Sequence, residues 1–164
     1  MQAATFTLPV ERNWYAEMEA YQLGRVFYAK EICLLSECGK YCYTWHVRNP
    51  RNMPHLPNTP ATRFQYQRHE LAWTFGNCDI DDVRTQFVSL TAGATVFVKG
   101  LQKRDYFRQL AHKSCIVEDI DCVVSNSLLQ QSFCDKPEYW CTVSHGWYCA
   151  TNKAYTLRRA HQLV

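Results

Sequence analysis

The chain has 164 residues, of which 47% are hydrophobic and 14% aromatic, and this composition excludes an intrinsically disordered chain. Its formal net charge of +3 permits contact with nucleic acid without requiring it. No apolar run is as long as a membrane span, and the first residues lack the pattern of a secretory signal peptide. We therefore expect an intracellular protein, in the cytoplasm or the nucleus, with no membrane partner.

Local patterns predict the first half of the chain as a short helix, a β-hairpin and a loop. The helix is expected over residues 14–24, within an N-terminal extension of residues 1–25 that packs on a single domain of residues 26–164. Residues 25–38 and 40–48 are β-rich and flank a tight turn, which is typical of a hairpin. The loop covers residues 49–63 and holds Pro50, Pro54, Pro57 and Pro60, which argue against a central strand or a helix.

Helices and strands are predicted to alternate in the second half. The segments are a helix at 79–90, a strand at 94–100, a helix at 101–112, a strand at 115–122 and a closing helix at 149–164. In the helix of residues 101–112, the side chains expected to face the core are Leu101, Tyr106 or Phe107, and Leu110. This order predicts an α/β fold in which helices cover a sheet.

Cysteine is unusually frequent, with nine residues: Cys33, Cys38, Cys42, Cys78, Cys115, Cys122, Cys134, Cys141 and Cys149. An odd number without a secretory signal favours reduced thiols, some of them on a metal, over a disulfide framework.

Three side chains of types that bind metals lie at intervals of four residues: Cys141, His145 and Cys149. Thiolates and imidazole are ligands that Zn²⁺ takes, usually four in a structural site. The fourth ligand must come from elsewhere, and the candidates are Glu31, Cys122, Cys134 and Cys33. The alternative is a pair of buried cysteines beside a hydrogen-bonded histidine. The chain lacks the zinc-protease and deaminase motifs, so we predict a structural zinc ion.

Basic residues are concentrated in two places. Lys99, Lys103, Arg104 and Arg108 lie at or near the start of one predicted helix, where backbone amides also favour phosphate. In the segment TRFQYQRH, Arg63 and Arg68 alternate with aromatic residues that can stack on single-stranded bases. These six residues form a candidate RNA surface. The alternatives are a solvated helix face for the first group and a half-buried strand for the second.

Four short motifs resemble the Maelstrom domain, a branch of the RNase H-like, DnaQ-type exonuclease fold found in piRNA-pathway proteins, and its uncharacterised arthropod relatives. The motifs are Lys30-Glu31-Ile32, HELAWTFG from His69, VKGLQK from Val98, and Cys141 with His145 and CATN from Cys149. The resemblance covers about residues 26–160 and implies an RNase H-like mixed sheet flanked by helices. It also implies a Glu-Cys-His-Cys zinc motif on the first strand and the last helix, formed by Glu31, Cys141, His145 and Cys149. The short interval between His145 and Cys149 departs from the family pattern, so Cys122 stays open as an alternative fourth ligand.

Active exonucleases of this fold hold two metal ions with four acidic residues. By resemblance, the three acidic motifs fall at residues 29–31, at Arg104 or Asp105, and at Asn152, so at most two carboxylates remain. Lys30 and Arg104 would repel magnesium. We therefore expect a non-catalytic pseudo-nuclease that binds single-stranded RNA or a protein partner in small-RNA silencing or mobile-element biology. The alternatives are an RNA nuclease with a non-standard site using His112 or His69, and a protein-interaction adaptor.

Overall fold

The computed structural model describes residues 11–133 and 148–164. The strands are β1 (Asn13–Leu23), β2 (Val26–Ser36), β3 (Cys42–His46), β4 (Thr95–Val98) and β5 (Ile116–Asp119). The helices are α1 (Pro60–His69), α2 (Ile80–Thr91), α3 (Leu101–Leu110), α4 (Asn126–Ser132) and α5 (Ala150–Gln162). No helix within these two ranges is long and apolar enough to cross a membrane.

All five strands form one mixed sheet in the order β3-β2-β1-β4-β5. β2 is antiparallel to both β1 and β3, whereas β4 runs parallel to β1 and β5 runs parallel to β4. Helices α2 and α3 cover one face, where Phe87 and Phe107 stack in the main core. Helices α4 and α5 cover the other face. The predicted α/β class and the mixed sheet flanked by helices are confirmed.

The segment predicted as a helix at residues 14–24 is instead strand β1, and this prediction is wrong. β1 pairs with β2 on one side and with β4 on the other, so the predicted N-terminal extension contributes the middle strand of the sheet. Alternating side chains of β1, including Trp14 and Met18, enter the core with α2 and α3. Glu17 and Glu19 point to the opposite face, beneath α5.

Helix α1 begins inside the region predicted as a loop. Thr59 is its N-cap and accepts a hydrogen bond from the backbone N–H of Thr62 at 3.2 Å, while Pro60 occupies the first turn, where a missing N–H costs nothing. The segment TRFQYQRH is therefore helical, and the half-buried strand considered for it is wrong. In α3, Phe107 and Leu110 are buried as predicted, but Leu101 is 58% exposed.

Lys30 lies at a bulge in β2, where the register with β1 shifts. Its side chain is buried, and Nζ donates to the carbonyl oxygens of Val47, Trp73 and Phe75 at 2.6, 2.7 and 2.5 Å. Burial lowers the pKa of Lys30 to about 8. The ammonium thus joins β2 to the segment between α1 and α2 and does not face the acidic residues, contrary to the role predicted for it.

Candidate nucleic-acid interface and metal centre

Three glutamates lie together on the sheet face beneath α5. Glu17 and Glu19 project from β1, and Glu31 is the register partner of Glu19 on β2. Directly opposed residues of an antiparallel pair share a face, and so do residues two apart on one strand. All three residues are buried, with exposed fractions of 4%, 3% and 0%. Buried carboxylates require compensating charges or hydrogen-bond donors.

Two lysines from different helices neutralise the glutamates of β1. Lys103 of α3 forms an ion pair with Glu17, and Nζ of Lys153 in α5 lies 2.7 Å from Oε1 of Glu19. Burial alone would lower the pKa of Lys153, but the carboxylates of Glu19 and Glu17 outweigh it and raise the pKa overall. The Lys153 ammonium therefore stays charged at neutral pH. The two ion pairs hold α3 and α5 against the middle strand of the sheet.

A third ion pair extends this row toward β5. Lys99 follows β4 and pairs with Asp121, which follows β5. Asp119 at the end of β5 accepts the backbone N–H of Gly100 at 2.7 Å and that of Asp121 at 2.9 Å. Because Asp119 orders the turn between β4 and α3, it fixes the positions of Lys99 and Lys103.

Two neighbouring cavities, each of about 260 Å³, open on either side of Lys103 and Lys153. The first is also lined by Glu17, Lys99 and Asp121, and the second by Glu19 and Arg68. Arg68 reaches this position from the end of α1, and its guanidinium lies 4.9 Å from the ring centre of Tyr148. Four cationic side chains thus face three carboxylates, and we name this group the lysine cleft.

The structure brings together only some of the six predicted RNA-binding residues. Lys99, Lys103 and Arg68 line the lysine cleft, whereas Arg104, Arg108 and Arg63 do not. These three make local contacts: Arg104 pairs with Asp105 at 3.1 Å, Arg108 donates to the Val117 carbonyl at 3.4 Å, and Arg63 donates to Asn58 at 3.0 Å. Lys153, which sequence reasoning did not select, joins the cleft because α5 crosses over β1.

The acidic motif predicted at residues 29–31 is misplaced, because these residues lie on β2 and not on the first strand. The first strand instead carries Glu17-Met18-Glu19, two acidic residues separated by one. Asn152, predicted at the third acidic position, is buried within α5, and its neighbour Lys153 enters the cleft. Residues two apart along 14–20 share polarity, and this alternation is typical of a strand. The segment was predicted as a helix, so the alternation was not used.

Two members of the predicted zinc site meet at the start of α5. Cys149 is fully buried at the N-cap position, and the next residue, Ala150, donates its backbone N–H to Oε1 of Glu31 at 2.6 Å. Nε2 of His46 lies 2.8 Å from Oε2 of the same carboxylate. Carboxylate and thiolate are both ligands that Zn²⁺ takes, and the hydrogen bond to Ala150 brings the Glu31 carboxylate to the residue next to Cys149. His46 was not selected from the sequence and is the register partner of Glu31 on β3.

The other predicted zinc ligands are Cys141, His145 and the alternative Cys122. Cys141 and His145 lie outside the described residues. Cys122 is exposed and follows β5, three strands from β2, which at a spacing of about 4.8 Å per strand is roughly 14 Å. This separation favours Glu31 over Cys122 as a ligand beside Cys149. Within residues 11–133 and 148–164, no three metal-ligating side chains gather in a way that could hold a metal ion.

The two histidines considered as general acids or bases both have local partners. His69 is buried, accepts the backbone N–H of Leu71 at 3.0 Å, and lines the second cavity of the lysine cleft. His112 follows α3, and its Nδ1 lies 2.8 Å from the hydroxyl of Ser114.

A larger cavity of about 820 Å³ lies beside Lys30, α2 and the end of α3. Aromatic residues, among them Trp73 and Tyr106, contribute to its wall. Two ion pairs lie among its charged residues, Arg48 with Asp79 at 3.2 Å and Arg84 with Asp81 at 3.2 Å. None of the six predicted RNA-binding residues lines this cavity, so the lysine cleft is the better candidate for nucleic acid.

No protein-family model matches the chain, and no curated protein matches it either.

Proposed function

We propose that the chain is a non-catalytic RNase H-like module that binds single-stranded RNA in the lysine cleft and is stabilised by zinc. The strand order β3-β2-β1-β4-β5, with three antiparallel strands followed by two parallel ones, supports the fold assignment. The Maelstrom-like motifs in the sequence support an intracellular role in small-RNA silencing or mobile-element biology.

The observation that carries the proposal is the pairing of Glu17 with Lys103 and of Glu19 with Lys153. Two-metal phosphodiester cleavage needs carboxylates that coordinate cations about 3.5–4 Å apart. Here an ammonium group contacts each carboxylate of β1, so the negative charge that would attract magnesium is already balanced. Lys153 and Lys103 also repel a divalent cation directly. The acids of β1 are therefore structural partners of the lysines.

RNA binding is supported by charge and by aromatic exposure at the same edge of the molecule. Cationic side chains outnumber carboxylates in the lysine cleft. Helix α1, which supplies Arg68, also exposes Phe64 and Tyr66, with exposed fractions of 63% and 47%. Phosphate contacts in the cleft together with base stacking on α1 are the combination used by single-strand binders.

Exchanging Arg68 for Ala tests this interface, with Arg63→Ala as the matched control. Both arginines are exposed on α1, but only Arg68 lines the cleft. We expect Arg68→Ala to weaken binding of labelled single-stranded RNA about tenfold, or about 1.4 kcal/mol. The slope of log K against log salt should fall by about 0.7, since one phosphate contact is lost. Arg63→Ala should leave both quantities unchanged; equal effects of the two variants, or no measurable binding, would contradict the interface and favour a protein-interaction adaptor.

The same RNA distinguishes a binding module from a nuclease. We expect the RNA to stay intact after incubation with Mg²⁺ or Mn²⁺. Because His69 lines the cleft beside Glu19, the second candidate is an RNA nuclease without a metal centre. Cleavage that persists in EDTA and disappears in His69→Ala would establish that second function and exclude the first.

Zinc binding is supported by the juxtaposition of Glu31 and Cys149, with Cys141 and His145 proposed to complete the site. When bound, the ion would have a structural role and would tie β2 to the start of α5. We expect elemental analysis to find about one zinc per chain. Glu31→Gln should lower this stoichiometry, whereas Cys122→Ser should not. Cys149→Ser should lower the unfolding temperature because metal affinity contributes to folding; zinc-free protein with unchanged stability would exclude the site.

A further inference from the structure

Two thiols face each other where β2 and β3 pair. Sγ of Cys33 lies 3.7 Å from Sγ of Cys42, close enough for one thiol to donate to the other. Cys33 is fully buried, whereas Cys42, the first residue of β3, is exposed to solvent. A reactant from solution can therefore reach the sulfur of Cys42, and the sulfur of Cys33 lies buried next to it.

Side chains from β2, β3 and α5 hold the exposed cysteine in place. Cys42 hydrogen-bonds the side chains of Cys33, Thr44 and Tyr155. An accessible thiol beside a second, buried thiol is the arrangement found at oxidation-sensitive cysteines, where the second thiol closes the disulfide.

We propose that Cys42 is a site of reversible oxidation by hydroperoxides, and that Cys33 is the thiol that closes a disulfide with it. The Cys42 sulfur attacks the terminal peroxide oxygen, the O–O bond breaks, and the departing alkoxide leaves as an alcohol after taking a proton. The product is a sulfenic acid on Cys42. The Cys33 sulfur then attacks the Cys42 sulfur, and the hydroxyl group leaves as water with the Cys33 proton. The two thiols lose two electrons in total, which reduce one hydroperoxide.

Disulfide formation would change side-chain contacts at the start of α5. Closing the bond brings the two sulfurs from 3.7 Å to about 2.05 Å apart. Cys33 also hydrogen-bonds the side chain of Thr151 in the first turn of α5, and the Thr151 hydroxyl lies 2.7 Å from that of Thr44. Oxidation thus changes contacts next to Cys149, and a thiol reductant reverses the change.

Peptide mapping after mild peroxide treatment tests the proposal. Trypsin separates residues 31–40, which contain Cys33 and Cys38, from residues 41–48, which contain Cys42. We expect the unreduced digest to contain these two peptides joined, with the loss of two hydrogens, and dithiothreitol to separate them. The Cys38→Ser variant should give the same joined pair, which assigns the bond to Cys33.

Two further variants separate the steps. Cys33→Ser should stop at a sulfenic acid on Cys42, which a 1,3-dione reagent captures, and Cys42→Ser should abolish the joined peptide. The wild-type digest keeps the test decisive if Cys33→Ser does not fold. The proposal is overturned if the wild-type digest lacks the joined peptides at a peroxide dose that oxidises the exposed Cys38 and Cys122, or if the joined peptides disappear in Cys38→Ser.

Discussion

Replacing Lys153 by Met is expected to lower the free energy of unfolding by about 3–5 kcal/mol. The substitution keeps much of the side-chain volume but leaves the carboxylate of Glu19, which is 3% exposed, without its ion-pair partner. Removing one member of a buried pair costs the full desolvation of the other. The double variant Glu19→Gln/Lys153→Met removes both charges and should recover a large part of this loss. Chemical denaturation of the four proteins of this cycle measures the coupling energy.

The pH dependence of the same pair follows from the raised pKa of Lys153. The pKa is above its ordinary value of 10.5 in the folded protein. The stabilisation from the charged ammonium is therefore complete below pH 10.5 and is lost as the pH rises through the folded value. We expect the stability difference between wild type and the double variant to be constant from pH 6 to 9 and to shrink only above about 10.5. A coupling energy near zero at neutral pH would show that the pair does not hold α5 to β1.

The local pattern was sufficient for those elements whose neighbours in the chain determine their structure. The β2–β3 hairpin is bounded by turn residues, and α2 places Val83, Phe87 and Leu90 on one face, so each could be predicted without knowing the rest of the fold. β1 could not, because Glu17 and Glu19 favour a helix locally and are buried only in the presence of lysines contributed by α3 and α5. Lys103 lies 86 residues from Glu17 in the chain. Charge compensation between residues so far apart in the chain leaves no periodic signal in the sequence.

The candidate site, too, could be predicted from local sequence patterns only in part. Cys149 was selected because its spacing from Cys141 and His145 is itself a local pattern, and Glu31 was selected through the resemblance; both stay predictions as zinc ligands. The lysine cleft was found only in part, since Arg68 and Lys153 come together through the packing of α1 and α5 around β1. An exposed basic residue and one in a buried ion pair, such as Arg63 and Lys103, look alike in a sequence. Charge-bearing residues therefore need the tertiary structure before a role can be assigned to them.

Lys30→Met is the second substitution for which we expect a large effect, a loss of about 3 kcal/mol or more in the free energy of unfolding. The ammonium donates to the carbonyl oxygens of Val47, Trp73 and Phe75, and Met offers no donor to any of them. Each orphaned buried acceptor costs about 1–3 kcal/mol, partly relieved where water can enter. The matched control is Lys40→Met, because Lys40 is exposed and this substitution should change stability by less than about 0.5 kcal/mol.

Hydrogen exchange adds a readout specific to the position of Lys30. Loss of the ammonium should release the segment between α1 and α2 from β2, so backbone amides of residues 71–78 should exchange faster while those of α5 keep their protection. The Val47 amide, which donates to the Lys30 carbonyl at 2.8 Å, should be affected with them. If Lys30→Met matches Lys40→Met in denaturation and leaves these amides protected, the three carbonyls do not depend on this side chain, and the lysine is not what anchors the segment.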